Sequence, residues 1–176
     1  MRNRMKMGLA VVALILLGDP IAWAVNLEWT SKTCVVVDGT FHVCKPTPDW
    51  DTQTKDVRDE AVRWVLHRQG ANPMIRLIYD ANATGKTAHD YGERVKKDLE
   101  LSGLRVGKVE KRTINGRNVT LINASDPENE GKLNYLVAVY RDQAKGLRLT
   151  CSAGKDDFSF FSNEFMQSIN SVHFNR

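Results

Sequence analysis

The residues of this chain that could do chemistry are few and lie far apart. The histidines are His42, His67, His89 and His173, and the cysteines are Cys34, Cys44 and Cys151. Catalytic zinc needs three protein ligands around an open position. None of the histidines is paired with a second ligand at metal spacing, although His42 and His67 would share a sheet face if their strands were neighbours. A nucleophilic serine or cysteine needs a base within hydrogen-bond reach and donors for the oxyanion. No Gly-x-Ser-x-Gly elbow occurs, and Cys151 sits in an apolar run that predicts a packed, inert thiol. Ser168 and Ser171 fall in a helical stretch and are expected to bond back to its carbonyls. Gly85-Lys86-Thr87 has the ending of a phosphate loop, but the first glycine of that motif would fall on Asp80, an anion where phosphate should sit. Thr87 followed three residues later by Asp90 reads instead as a helix cap. Asp126, Glu128 and Glu130 supply fewer oxygens than a calcium loop requires. The expectation is a protein without catalysis and without a cofactor. The competing reading is a metal-binding or hydrolytic enzyme using His42, His67 or Cys151.

The first residues address the chain rather than fold it. Arg2, Arg4 and Lys6 precede the apolar run Gly8–Leu17, which is short for a membrane span and is broken by Asp19-Pro20. Ala22-Trp23-Ala24 puts small residues at the two positions a signal peptidase reads, so residues 1–24 are expected to be a signal peptide cleaved after Ala24. Of the 176 residues that leaves 152, enough for one domain burying about two-thirds of its unfolded surface. The net charge of +4 falls to +2, because the segment carries off three positive charges and one negative. The remaining charges are interleaved, as in Glu93-Arg94 and Lys155-Asp156, which argues against nucleic acid as a partner.

Export to an oxidising compartment gives the cysteines a purpose. Cys34 and Cys44 would close an eleven-residue loop, a bridge contributing about 2.5–3 kcal/mol by loop entropy. The register decides whether it forms. A two-residue turn at Asp38-Gly39 sets residue 34 against 43 and turns Cys44 to the other side, whereas a bulge or a three-residue loop sets 34 against 44. Three unbridged thiols, or a bridge using Cys151, remain open alternatives.

These side chains must be positioned by hairpins. Thr33–Val37 and Thr40–Lys45 flank Asp38-Gly39, and Pro46 and Pro48 end the second strand. Trp50 is expected to fold back as a lid on the core's edge, with Asp51–Asp59 a connecting loop. Ala61–Arg68, with Trp64 among its alternating apolar residues, and Met74–Tyr79 form a second hairpin across Gly70–Pro73. Thr87 caps a helix that runs to about Ser102 and stops at Gly103, burying Tyr91, Val95 and Leu99. Val106–Ile114 and Arg117–Ala124 flank Asn115-Gly116, a type I′ turn signal. Leu133–Arg141 and Leu147–Ser152 form the last hairpin across Gln143–Gly146. The closing helix, Phe158–Val172, carries Phe158, Phe161, Phe165 and Ile169 on one stripe that must be buried. About eight strands in hairpins, one mid-chain helix and one C-terminal helix define an α+β fold with a largely antiparallel sheet.

The order of these segments resembles the PsbP-like family, which includes bacterial envelope members such as DcrB. The likeness rests on Tyr135-Leu136-Val137-Ala138-Val139, on Leu147-Arg148-Leu149-Thr150-Cys151-Ser152-Ala153, and on the Phe158, Phe161, Phe165, Ile169-Asn170-Ser171 stripe. Asp38-Gly39-Thr40-Phe41-His42-Val43 with Pro48 and Trp50 is similar to the family's opening strand and proline–tryptophan step. The helix Thr87–Leu101 and the Ile114-Asn115-Gly116 turn fall in the right order, while the loop Asp51–Glu60 departs from the pattern. The resemblance spans nearly all of residues 25–176. It implies an α/β/α sandwich around an antiparallel sheet and an accessory or binding role without chemistry. The function expected is that of a soluble periplasmic or secreted protein that binds another envelope protein or a small ligand.

Overall fold

The computed structural model describes residues 27–31, 33–53, 62–68, 72–127 and 133–175. Residues 1–26, which hold the expected signal peptide and its cleavage site, lie outside the described residues, as does most of the acidic stretch 126–131.

Seven strands make the main sheet: β4 (Trp50–Gln53), β5 (Val62–Arg68), β6 (Met74–Asp80), β7 (Arg105–Ile114), β8 (Arg117–Ser125), β9 (Leu133–Asp142) and β10 (Lys145–Gly154). Their order is β4-β5-β6-β10-β9-β8-β7, every neighbouring pair antiparallel. Local turn chemistry sets most of this register. Asn115 and Gly116 adopt φ of +51° and +72°, so Ile114 pairs with Arg117 across a two-residue turn. The β9–β10 turn is tighter than the sequence suggests. Only Gln143 and Ala144 lie outside the pairing, while Lys145 and Gly146 already belong to β10.

The single sheet expected from the sequence is in fact two. β1 (Leu27–Trp29), β2 (Cys34–Val37), β3 (Phe41–Cys44) and β11 (His173–Phe174) form a separate small sheet in the order β1-β2-β3-β11. The Asp38-Gly39 turn also differs from a plain two-residue hairpin. Both residues have positive φ and Thr40 N–H donates to Val37 O, yet Val37 pairs with Phe41, leaving Thr40 as an extra residue. That one-residue shift sets Cys34 directly opposite Cys44.

Two helices sandwich the main sheet. α1 (Ala88–Leu101) starts at Thr87, whose hydroxyl accepts from Asp90 N–H while the Asp90 carboxylate accepts from Thr87 N–H, and it ends before Gly103 at φ +85°. Its Tyr91, Val95 and Leu99 pack on Ile122, Val137 and Val139. The alternate residues of β9, Leu136, Ala138 and Tyr140, point to the opposite face. There α2 (Phe158–Ser171) lays Phe161, Phe165 and Ile169, joined by the half-buried Phe158, against Leu147, Leu149 and Cys151. The small sheet completes this second layer with Val35, Val37, Phe41 and Val43. Fully burying each such apolar side chain contributes about 1.5–3 kcal/mol.

Two positions depart from their expected roles. Trp50 is no lid: it opens β4, which pairs with β5 inside the supposed loop, and the side chain is 0% exposed. Its indole lies against Phe165, and Trp64 in the next strand donates to Thr52. Ser168 donates not to its own helix but to Cys44 O at 2.7 Å. Ser171 does bond back, to Ser168 O, and also accepts from Cys44 N–H at 2.9 Å. The end of α2 is thereby clasped to β3.

Candidate functional site

The three residues that a hydrolytic site would have to assemble stand on three different surfaces. Cys151 alternates with Leu149 and Ala153 on the face of β10 beneath α2, and it is fully buried. Burial pushes its thiol pKa far up, so the sulfur is protonated and a poor nucleophile. His67 follows Leu66 on β5, and Leu66 faces α2, so His67 points to the other side of the main sheet. His42 lies between Phe41 and Val43, both in the core, and so points outward from the small sheet. The expected sharing of a face by His42 and His67 fails because their strands belong to different sheets.

What His42 does meet is the cysteine pair. Cys34 and Cys44 are joined, with Cα atoms 4.0 Å apart, and Cys151 is the free cysteine. His42 Nδ1 lies 3.9 Å from Cys44 Sγ, and the His173 ring stands 4.3 Å from that of His42. Burial first, and His173 second, hold the His42 imidazole below its ordinary pKa. Sequence reasoning missed this neighbourhood because His173 reaches it on a two-residue strand that carries no periodic signal.

A concavity lies elsewhere, where the first turn of α1 overhangs β7 and β8. It encloses about 530 Å³ and is lined by Thr87, Ala88, His89, Asp90, Lys111 and Arg112, with Val119 and Thr120 among the floor residues. The helix sits low because Gly92 offers no side chain: a Cβ there would lie 2.8 Å from the Thr120 side chain. Thr120 in turn donates to Ala88 O at 3.3 Å. The helix start is already supplied with an anion. Asp90 is held below the usual carboxylate range by the Lys86 N–H, then by the Thr87 hydroxyl. Positive charge enters the groove from β7, where Arg112 pairs with Glu110 at 2.9 Å and Lys111 is exposed. Gly85-Lys86-Thr87 is thus a turn and a cap, as expected. A smaller hollow of about 290 Å³ lies by Arg105, Asn123, Tyr135 and Phe158.

No family model matches the chain, and no curated protein matches it in sequence. Solved structures do match in fold. The cyanobacterial PsbP (CyanoP) of Synechocystis sp. PCC 6803 superposes with a TM-score of 0.58 at 16% identity, over 90% of this chain and 96% of that one. PA94 of Pseudomonas aeruginosa, a protein of unknown function described as a putative regulator, gives 0.56 at 15% identity, over 86% and 98%. LpqN of Mycobacterium tuberculosis, described as involved in cell envelope biogenesis, gives 0.55 at 13% identity, over 77% and 83%. The chain therefore has a PsbP-like fold, in agreement with the resemblance of its motifs.

Proposed function

We propose that this chain is a non-enzymatic accessory protein of the cell envelope, exported by residues 1–24 and released after Ala24 to the periplasm or the exterior. It binds another envelope protein or a small ligand. The observation that carries this reading is the groove between α1 and β7–β8, whose 530 Å³ lies within the size range of ligand sites. His89, Asp90, Lys111 and Arg112 give it a polar rim of mixed charge, with Arg112 paired to Glu110. Support also comes from the separation of His42, His67 and Cys151, each with a structural setting of its own, and from the envelope role described for LpqN. Among the described residues no helix is long and apolar enough to cross a membrane.

The test uses the full chain and a variant carrying Lys111→Glu and Arg112→Glu. A partner retained from envelope extract by the wild type and lost by the variant supports the reading, as does a small ligand that stabilises only the wild type. At one hundred times its dissociation constant such a ligand adds about 2.7 kcal/mol. Turnover of ester, peptide or phosphate-ester substrates by the pure protein overturns it. So does recovery of the intact chain, leader included, from the cytoplasm.

A further inference from the structure

The outward face of the small sheet gathers two cysteines and two histidines. Cys34 and Cys44 are direct partners on β2 and β3, His42 is two residues from Cys44 on the same strand, and His173 on β11 is the direct partner of His42. Partners across strands, and residues two apart along one, share a face. That face is opposite to the one carrying Val35, Val37, Phe41 and Val43 into the core. Cys34, His42 and Cys44 are each half-buried, and their ligand atoms all lie within 4.8 Å of one another.

The histidines are also held in chosen orientations. Thr30 Oγ1 lies 3.3 Å from Cys34 O and 3.2 Å from His42 Nε2. When its proton goes to Cys34 O, the oxygen accepts from His42 Nε2–H and the lone pair of His42 is on Nδ1, the nitrogen that faces Cys44 Sγ. His173 Nδ1 lies 2.7 Å from Ser171 O, which can only accept, so the lone pair of that ring is on Nε2. A metal-ligating histidine is commonly fixed in this way, its far nitrogen donating to an oxygen. Around a tetrahedral zinc, sulfur and nitrogen ligands stand about 3.6 Å apart and two sulfurs about 3.8 Å. The 3.9 Å between His42 Nδ1 and Cys44 Sγ is already close to that spacing.

We propose that reduction of the Cys34–Cys44 bridge converts this face into a site for one thiophilic divalent ion of the Zn²⁺ class, bound by Cys34 Sγ, Cys44 Sγ and His42 Nδ1, with the fourth position left to water or an added ligand. A dithiol reductant supplies two electrons and two protons, becoming a disulfide itself, while the Cys34–Cys44 bond opens to two thiols. The ion then binds the two thiolates and releases both protons. Disulfide and metal site are mutually exclusive states of the same two sulfurs. The bound ion holds the sulfurs as thiolates and protects them from reoxidation.

The full chain is reduced with a phosphine in the absence of air, freed of reductant, and titrated with Co²⁺ and then Zn²⁺. Expected are one ion per chain, a thiolate-to-cobalt charge-transfer band that Zn²⁺ abolishes, and two protons released per ion. The oxidised chain shows no band. His42→Ala weakens binding at least about tenfold, whereas Cys151→Ser leaves it unchanged. Circular dichroism follows the fold throughout, so the reduced wild type provides the test even where a variant fails to fold. A reduced, folded chain that takes up no Co²⁺ overturns the proposal, as does equal binding by the oxidised chain or by His42→Ala. Should the reduced chain unfold, restoration of the fold by Zn²⁺ supports the site, and failure to restore it overturns it.

Discussion

Glu164 gives the sharpest test of how the second helix is held to the sheet. Its carboxylate accepts from the indole N–H of Trp50 at 2.6 Å through one oxygen and from the guanidinium of Arg68 through the other. Trp50 is fully buried, so Glu164→Ala leaves its N–H without a protein acceptor, at a cost of about 1.5–3 kcal/mol for a bond to a charged group. The Arg68–Glu164 pair keeps 28% and 18% of its side-chain surface exposed, so its share is discounted to at most about 1 kcal/mol. The expected loss is therefore about 3 kcal/mol, or roughly 6–12 °C in Tm for a domain of this size. Glu164→Gln keeps an oxygen for the indole and should cost only about 1 kcal/mol. Urea unfolding followed by far-ultraviolet circular dichroism measures each loss without relying on Trp50 fluorescence. The two bonds also predict coupling. Trp50→Phe should cost at least about 1 kcal/mol less in the Glu164→Ala background than in the wild type, because the orphaned N–H is then removed. Stability within 0.5 kcal/mol of wild type for Glu164→Ala, or strict additivity with Trp50→Phe, refutes this account.

Other consequences are open to simple measurements. Gly92→Ala should destabilise by about 1–3 kcal/mol, reversing the usual helix preference for alanine, because the new Cβ would meet the Thr120 side chain at 2.8 Å; thermal unfolding checks it. Asp38 is held below the usual carboxylate pKa by its bond to Lys145, then by that from the Tyr79 hydroxyl. Its folded pKa lies under its unfolded one, so its contribution is complete above about pH 4 and fades as pH falls through the folded value. Asp38→Asn, which tolerates the same positive φ, should flatten the acid limb of a stability–pH curve and leave the neutral region nearly level. Cys151 should resist iodoacetamide in the native protein and react in urea, with labelling that tracks unfolding measured separately.

How far the fold could be read depended on whether a signal was local. Asn115-Gly116 names its own turn, and Thr87 with Asp90 names its own helix start, so both stood in the sequence as they stand in the structure. The phenylalanine stripe of α2 was equally plain, since helical spacing requires a buried face. Trp50–Gln53 was hidden because two prolines precede it and polar residues fill it, although pairing with β5 makes it a strand all the same. The division into two sheets was illegible for a different reason. A hairpin signal says which strands are partners, not which sheet the hairpin joins. The site was least legible of all. Cys34 and Cys44 met only because Thr40 is extra in the turn, and His42 met His173 through a pairing 131 residues long in sequence.

That long pairing bears on the order of assembly. β2 and β3 can close on each other over a few residues, so the Cys34–Cys44 bond has no need to wait for the rest of the chain. Seating β11 on β3 instead closes a loop of about 130 residues, roughly 2 kcal/mol more costly in chain entropy than the hairpin. The clasp of Ser168 and Ser171 on Cys44 is subject to the same delay. Phe41 of the hairpin meets Tyr79 of the main sheet as well as Phe174 of that last seam. Oxidation of the cysteines can precede the native state, whereas the stacking of His42 on His173 is a late mark that the whole domain has arrived.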